Sequence, residues 1–346
     1  MRMRTWSQAL ATLAATAALL VVSRNAAAHG DADVERPETE GRAQVHGSAE
    51  PAEPHEGAEE EREARFHVSV DLVLGWGHVP FAVQNLPTEG QQALTYSRQD
   101  QTAVDVQSFL LGASAEVAEH LEVGFRLPFT FATFSPDGSA SRAATSLGNL
   151  ELEGEYAVPL GRQLKLLGAL GVALPTASGQ EIPDGLTAQS LSSSTAGSYD
   201  RWSLSRAAAF ARGYEDNALF EPNRLGLVPK LALVYTFRGL TVEPYVKLEN
   251  LIGTSTLLDA SYVGEFVGAL RVGYWVHPHV EVAARGWVNV GYAGTSDDKV
   301  TAAAVEPVIA MRFGPVRPYA GVILPVAGPP KDNGAFGVRL GVIGSF

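Results

Sequence analysis

Cysteine is absent from the 346-residue chain, which excludes a disulfide framework. Charged residues contribute only 18%, which is below the roughly 25% typical of soluble domains. Basic residues are also outnumbered, with 26 Lys and Arg against 38 Asp and Glu, so the basic footprint of a nucleic-acid-binding protein is missing. The chain has instead 46% hydrophobic residues and 35 glycines, a composition that favours many short strands.

The N-terminus has the three parts of a secretory signal sequence. Residues 1–4 are positively charged, residues 9–22 form an apolar core, and three alanines at 26–28 form a small-residue cleavage site. The apolar core is shorter than the roughly 20 residues of a membrane-spanning helix, and no later window approaches that length. We predict export with cleavage after Ala28. Any further membrane crossing must be made by strands, since lipid admits only helices and closed barrels.

Residues 29–65 concentrate negative charge. They contain twelve acidic residues and four arginines, which is −8 of the net charge of −12, and almost no large apolar side chains. Such a segment cannot bury enough surface to offset the entropy of ordering, so we predict a disordered acidic periplasmic linker. The three histidines of this segment, His29, His46 and His55, suggest metal binding as an alternative. No pair of them has a spacing that fixes the geometry of a metal site, so we predict none.

Beyond Arg65, apolar and polar residues alternate with period two, which is typical of strands with one face in an apolar medium. Twelve such runs occur, and short turns between them alternate with longer connections, as in outer-membrane barrels. We therefore predict an all-β fold over residues 66–346, a transmembrane antiparallel up-and-down β-barrel of about 12 strands, or roughly 10 to 14 within boundary error. The runs are 66–76, 103–117, 121–133, 148–158, 163–175, 224–237, 240–252, 260–276, 280–293, 300–313, 317–326 and 334–346.

The last run is the most specific. It alternates from Phe336 to a terminal aromatic residue, Phe346, and so resembles the C-terminal strand by which the barrel-assembly machinery reads outer-membrane proteins. We predict that Phe346 is an assembly signal and that the barrel lies in the outer membrane of a Gram-negative cell, in contact with its lipids.

Two motifs carry a further resemblance. Residues 147–156 read Leu-Gly-Asn-Leu-Glu-Leu-Glu-Gly-Glu-Tyr, and residues 170–176 read Leu-Gly-Val-Ala-Leu-Pro-Thr. They resemble the G-D-L-x-L-x-x-K-Y strand and the L-P-T-G strand end of outer-membrane transporters linked to meta-pathway phenol degradation. Asn149 stands for Asp, Glu155 for Lys and Ala177 for Gly. The resemblance implies a porin-like barrel and transfers no functional residue.

Charged residues on the polar faces of the runs are the candidate lumen and selectivity residues. Similar numbers of both signs favour cross-strand ion pairs, because unpaired buried charge is costly, over a selective constriction. Consecutive inward carboxylates on one run are the exception and suggest weak cation preference. The candidates are Glu151, Glu153 and Glu155, together with Arg126, Glu243, Lys247, Arg271, Arg285, Arg312 and Arg339.

The connection 176–223 is far longer than ordinary loops, and residues 203–214 have a short helical pattern. It is interpreted either as a gate that folds over or into the barrel mouth or as a solvated surface loop. No G-x-S-x-G motif occurs, and we predict no catalytic residues and no cofactor.

These features predict an outer-membrane channel or transporter that gives passive passage to a small-molecule solute, with apolar solutes among the candidates. A structural or adhesive barrel with a closed lumen is the alternative, and a lipid hydrolase of the outer membrane is a weaker one. No nucleic-acid partner is expected, and the oligomeric state is left open.

Overall fold

The computed structural model describes residues 66–79, 82–88, 91–97, 102–135, 141–180, 193–255, 261–294 and 301–346. The predicted signal sequence, residues 1–28, and the predicted linker, residues 29–65, lie outside this part of the chain. Within it, no helix is both long and apolar enough to cross a membrane.

The described residues form fifteen strands, numbered in chain order. Their bounds are β1 (Phe66–Val79), β2 (Ala82–Thr88), β3 (Gln91–Ser97), β4 (Thr102–Ala118), β5 (Leu121–Ser135), β6 (Arg142–Leu147), β7 (Leu150–Pro159), β8 (Leu164–Leu174), β9 (Arg224–Phe237), β10 (Leu240–Gly253), β11 (Tyr262–His277), β12 (Val280–Ala293), β13 (Thr301–Met311), β14 (Val316–Ala327) and β15 (Phe336–Ser345).

The strands close an antiparallel barrel with twelve positions around its wall. Each wall strand pairs with its neighbours along the chain, and β1 joins the two ends of the sequence by pairing with β4 and with β15. β6 and β7 share one position, since both pair with β5. At the seam, the backbones of Phe66 and Phe346 exchange two hydrogen bonds of 2.9 Å. The predicted 12-stranded up-and-down barrel is confirmed.

Two elements lie inside segments predicted to be loops. The hairpin of β2 and β3 falls within the predicted connection 77–102, and β6 falls within the predicted connection 134–147. The predicted boundaries of the twelve wall strands otherwise agree to within a few residues, because the alternation that marks a strand ends where its lipid-facing side chains end.

Apolar side chains face outward, as the alternation predicts. On β5 and β7 the exposed residues include Val123, Phe125, Leu152 and Tyr156, and the polar residues between them point into the lumen. We call the end of the barrel with the short connections, such as residues 119–120 and 238–239, the turn side. The opposite end, from which the connection 175–223 departs, is the loop side.

Two helices complete the described structure, α1 (Ser193–Ala211) and the short α2 (Pro329–Asp332), with a 3-10 turn at Asn217–Leu219. The last two turns of α1 are rich in alanine, the residue with the highest helix propensity. A Schellman motif ends the helix: Gly213 has a φ of 64°, and the Tyr214 amide donates to the Ala209 carbonyl at 2.9 Å.

Candidate functional site

The helix α1 lies inside the loop-side half of the barrel. Its residues Leu204, Ala208 and Phe210 are buried against inward-facing side chains of the wall, among them Val73 and Phe134. Burying each of the larger side chains contributes about 1.5–3 kcal/mol. The loop-side lumen is therefore an apolar packed core. We call residues 193–221 the plug and residues 212–221 its tip.

Two glycines of the wall let the plug approach this closely. A Cβ added to Gly75 on β1 would lie 2.3 Å from the Cβ of Ala211, and one added to Gly337 on β15 would lie 2.5 Å from the Ala211 carbonyl oxygen. Any side chain at these two positions would push the end of α1 off the wall. The connection 176–223 thus folds into the barrel, in its described part, and is not a solvated surface loop.

Arg212 begins the tip and is bound to two wall strands. Its guanidinium donates to Asp71 Oδ1 at 2.7 Å, to Ser108 Oγ at 3.0 Å and to the Ser108 carbonyl at 3.1 Å. Its side chain is 1% exposed. A buried guanidinium needs such partners because an unpaired charge inside the barrel would be costly.

Glu215 is held in the lumen by residues of three wall strands, β10, β12 and β15. Arg285 donates to its Oε1 at 2.6 Å, and the Tyr245 hydroxyl donates to the same oxygen at 2.7 Å. Arg339 Nη2 lies 3.5 Å from its Oε2. Arg285 and Arg339 also contact Glu306 on β13, at 3.0 and 3.2 Å. The tip carboxylate therefore joins cations that already have partners on the wall.

Asp216 is bound in the same manner by cations of β5 and β10. Its Oδ1 lies 3.3 Å from Arg126 Nη1 and 3.4 Å from Lys247 Nζ. Burial tends to raise the pKa of Asp216, but Lys247 and Arg126 outweigh burial and hold that pKa below its ordinary value. The carboxylate is thus ionised at neutral pH. Arg126 and Lys247 keep wall partners too, Glu151 at 2.9 Å and Glu249 at 2.7 Å.

Backbone groups of the tip are also bonded to the wall. Trp287 Nε1 donates to the Gly213 carbonyl at 2.8 Å, and Asn289 Nδ2 donates to the Tyr214 carbonyl at 2.9 Å. Glu249 accepts from the Ala218 amide at 2.8 Å. Together with the side-chain contacts, these bonds attach the tip to strands all round the barrel and make it a fixed part of the lumen.

Both ends of the connection that carries the plug are hydrogen-bonded to the wall at a break between two strands. Between β6 and β7 the buried Asn149 turns inward, and its Nδ2 donates to the carbonyls of Ala218 and Glu221, at 2.8 Å each. Its Oδ1 accepts from the Ala177 amide at 2.9 Å. Next to it, Thr176 Oγ1 donates to the Gly148 carbonyl at 2.6 Å. The two motifs 147–156 and 170–176 thus meet at this break.

Among the described residues, the same break leaves the wall open. In the described residues β6 has a strand partner on one edge only, because β8 ends at Leu174 and the chain then turns toward the lumen. A cavity of about 320 Å³ lies beside this edge. It is lined by Phe129, Thr130, Phe131, Thr145, Ser146, Leu147, Thr176, Ser178 and Arg201.

Beyond the tip, the turn-side lumen is polar and holds two adjoining cavities of about 380 and 200 Å³ that share Ser69, Arg126 and Glu153. Glu155 lines the smaller cavity. Eight other predicted lumen residues line the larger one, namely Arg126, Glu151, Glu153, Glu243, Lys247, Arg271, Arg285 and Arg339.

Comparison with known proteins bears on the fold. No protein-family model matches the chain, and no curated protein matches its sequence. The crystal structure of an outer membrane channel from Pseudomonas putida F1 superposes with a TM-score of 0.53 at 15% identity, over 82% of this chain and 95% of that one. This chain has the fold of an outer-membrane β-barrel.

Two further solved structures are similar at lower scores. The β domain of the Bordetella autotransporter BrkA has a TM-score of 0.44 at 13% identity, over 82% of this chain and 100% of that one. The NanC porin has a TM-score of 0.42 at 12% identity, over 79% of this chain and 98% of that one.

One of the predicted lumen residues does not face the lumen of this outer-membrane β-barrel fold. The strand predicted to run to residue 313 ends at Met311, so Arg312 is exposed in the turn and its guanidinium carbon lies 4.4 Å from the ring centroid of Trp275. The prediction that Arg312 lines the lumen is therefore wrong. The sequence gives no sign that the tip residues Arg212, Glu215 and Asp216 lie in the lumen, because charged residues in a long loop are normally solvated.

We expect Asn149→Ala to loosen the plug, since the change leaves the Ala218 and Glu221 carbonyls and the Ala177 amide without their partner, a cost of about 1–3 kcal/mol for each buried group. Trypsin should then cut the folded barrel after Arg212, which is buried in the wild type. The readout is limited proteolysis followed by mass spectrometry. Ser146→Ala, on the same wall position, is the matched control, and equal cleavage of both variants would contradict the role of Asn149.

Proposed function

We propose that the protein is a passive channel of the cell outer membrane for small solutes, apolar ones among them. The observation that carries this proposal is a lumen closed by a wall-bonded plug next to an opening in the wall itself. We also propose that the chain is exported, cleaved after Ala28, and inserted among outer-membrane lipids by the barrel-assembly machinery.

The plug argues against a simple aqueous pore. A helix packed among apolar wall residues displaces water from the loop-side half, so ions can pass only when the plug shifts. A 12-stranded barrel has room for this arrangement, because it lies between the packed interior of eight strands and the aqueous channel of a 16-stranded porin. The plug is thus a candidate gate.

The wall opening supports an apolar solute. On its outer side are lipid-facing residues such as Phe129 and Leu147, at its edge is Thr176, where the chain leaves the wall, and Arg201 of the plug lines the same cavity. A solute dissolved in the lipid reaches the plug here without crossing the loop-side mouth. From this point, a shift of the tip would open the way to the turn-side cavities and the periplasm.

Uptake by intact cells tests the proposal. In a Gram-negative host that lacks its major porins, expression of the full chain should raise the initial uptake rate of radiolabelled benzene over the empty vector. Thr145→Trp, which fills the opening, should return the rate to the vector level while the variant still assembles.

The plug also favours the alternative of a structural barrel with a closed lumen. That alternative predicts neither benzene uptake nor discrete current steps in a planar bilayer, even after the plug is removed. An assembled wild-type barrel without any benzene uptake would therefore replace the channel proposal by this one.

Phe346 provides a test of assembly. We expect Phe346→Ser to reduce severalfold the amount of heat-modifiable barrel in outer-membrane fractions, because the terminal aromatic side chain is exposed on the outer face where the assembly machinery can bind it. Phe336→Ser removes an aromatic residue from the same face of β15 and is the matched control. Equal yields for both variants would argue against a special role of the last residue.

A further inference from the structure

The cavity beside β6 combines two chemical surfaces. One is aromatic and aliphatic, from Phe129, Phe131 and Leu147 on the outward face of the wall. The other is polar, with Thr176 at the edge of the wall and Arg201 on the plug. Its volume of about 320 Å³ falls within the roughly 300–1,000 Å³ of small-molecule sites.

Arg201 distinguishes this cavity from a purely apolar one. Its neighbour in α1, Asp200, forms an ion pair with Arg142 of β6. Arg201 has no carboxylate partner in the part of the chain that the structure describes, and its buried Nε has no hydrogen-bond partner there. A buried guanidinium nitrogen without a partner costs free energy unless a ligand supplies an acceptor.

We propose that this cavity binds small amphipathic carboxylates, with the apolar body against Phe129 and Phe131 and the carboxylate on Arg201. The inference rests on the proposed channel function and names its solute class. An aromatic ring fits best, because edge-to-face contacts with two phenylalanines add to the area it buries. A guanidinium binds a carboxylate by two parallel hydrogen bonds, which neither an alcohol nor an amine can reproduce.

The orientation of the ligand follows from the position of the opening. Its apolar body remains on the lipid side of the wall, and its charged end reaches Arg201 on the plug. Because Arg201 belongs to α1, an anion bound there contacts the plug itself. A neutral hydrocarbon would occupy the same space without using the guanidinium.

Three ligands with the same ring and different head groups test the proposal. Fluorine NMR on the refolded full chain at pH 7.4 measures the binding of 4-fluorobenzoate, 4-fluorobenzyl alcohol and 4-fluorobenzylamine. Fluorobenzoate should bind most tightly. Arg201→Gln should weaken its binding roughly tenfold or more, the effect of losing a charge-assisted hydrogen bond. Binding of the alcohol should change by less than about twofold.

Two variants locate the site. Thr145→Trp should abolish binding of all three ligands by filling the cavity. Arg238→Gln, at an exposed turn at the opposite end of the barrel, should leave the binding of all three ligands unchanged. Heat-modifiable migration on a gel confirms that each variant is folded.

The proposal is overturned if fluorobenzoate binds the Arg201→Gln variant as tightly as the wild type, if the amine binds as tightly as the acid, or if Thr145→Trp leaves binding intact. Benzene uptake reports separately on the channel. If uptake persists while any of these results is obtained, the carboxylate site is wrong and the proposed function stands; if uptake is absent, the channel itself is wrong.

Discussion

Replacing residues 193–219 with a short Gly-Ser linker is expected to raise single-channel conductance by roughly an order of magnitude or more, since a 12-stranded barrel without its helix approaches the open porins. The change removes α1 from the loop-side lumen and the tip carboxylates from the turn-side lumen. The twelve wall strands keep all their pairings, so the barrel should still assemble. Planar-bilayer recordings measure the effect.

The opened pore should also show weak cation preference. Glu153 and Glu155 line the turn-side cavities and are only partly buried, whereas Glu151 is occupied by Arg126. The reversal potential in a salt gradient should therefore move toward zero when Glu153 and Glu155 are both changed to Gln in the opened barrel. An unchanged potential would leave these carboxylates without a role in selectivity.

Replacement of the β2–β3 hairpin by the same linker is the matched control for the deletion. It shortens another loop-side connection and leaves the plug in place, so conductance should stay at the wild-type level. If the hairpin replacement opens the pore and the plug replacement does not, the plug is not the gate.

The second large effect is expected from the two tip carboxylates. Glu215→Gln together with Asp216→Asn removes both charges from the ring of Arg126, Lys247 and Arg285. The loss should destabilise the seated plug by roughly 1–3 kcal/mol per carboxylate, less than for an isolated buried pair because each wall cation keeps a wall partner. The plug should then leave its seat more often.

The absence of native cysteine makes this motion measurable. Ser203 on α1 is 2% exposed, and Ser203→Cys is a nearly isosteric change that provides a unique thiol. Maleimide labelling of this thiol should be slow in the otherwise wild-type barrel. It should accelerate roughly tenfold or more when the tip charges are removed, since 1.4 kcal/mol of local opening free energy corresponds to a factor of ten.

Glu243→Gln is the matched control for the tip substitutions. Glu243 lines the same cavity from β10, two residues nearer the turn side than Tyr245, which contacts Glu215. Its removal should leave the labelling rate unchanged. Equal acceleration by both sets of substitutions would show that total lumen charge, and not the attachment of the tip, governs the plug.

The wall strands were predictable because the medium that each side chain faces determines whether that side chain is polar or apolar. A residue that faces lipid has to be apolar wherever its strand lies, so alternation along β5 or β15 is visible without knowledge of the neighbouring strands. Nine of the ten predicted lumen residues line the turn-side cavities for the same reason. The prediction for Arg312 was wrong because the alternation does not reveal that β13 ends before this residue.

The plug was not predictable from the same signals. Residues 203–214 indicated a short helix, yet α1 starts ten residues earlier, at Ser193, in a sequence rich in serine. Its burial depends on Gly75, Gly337 and Asn149, which come from distant parts of the chain. A single glycine in an alternating strand gives no sign that a helix will pack against it.

By itself, the sequence determined the strands of the wall, their outward apolar face and the polar turn-side lumen, because solvation by lipid or water acts on each residue separately. Only the tertiary structure decided that the loop-side half is filled by a helix, that Glu215 and Asp216 fasten it to the wall cations, and that β6 has a free edge among the described strands. These features depend on which segments meet across the barrel. Such long-range contacts leave no periodic pattern in the chain.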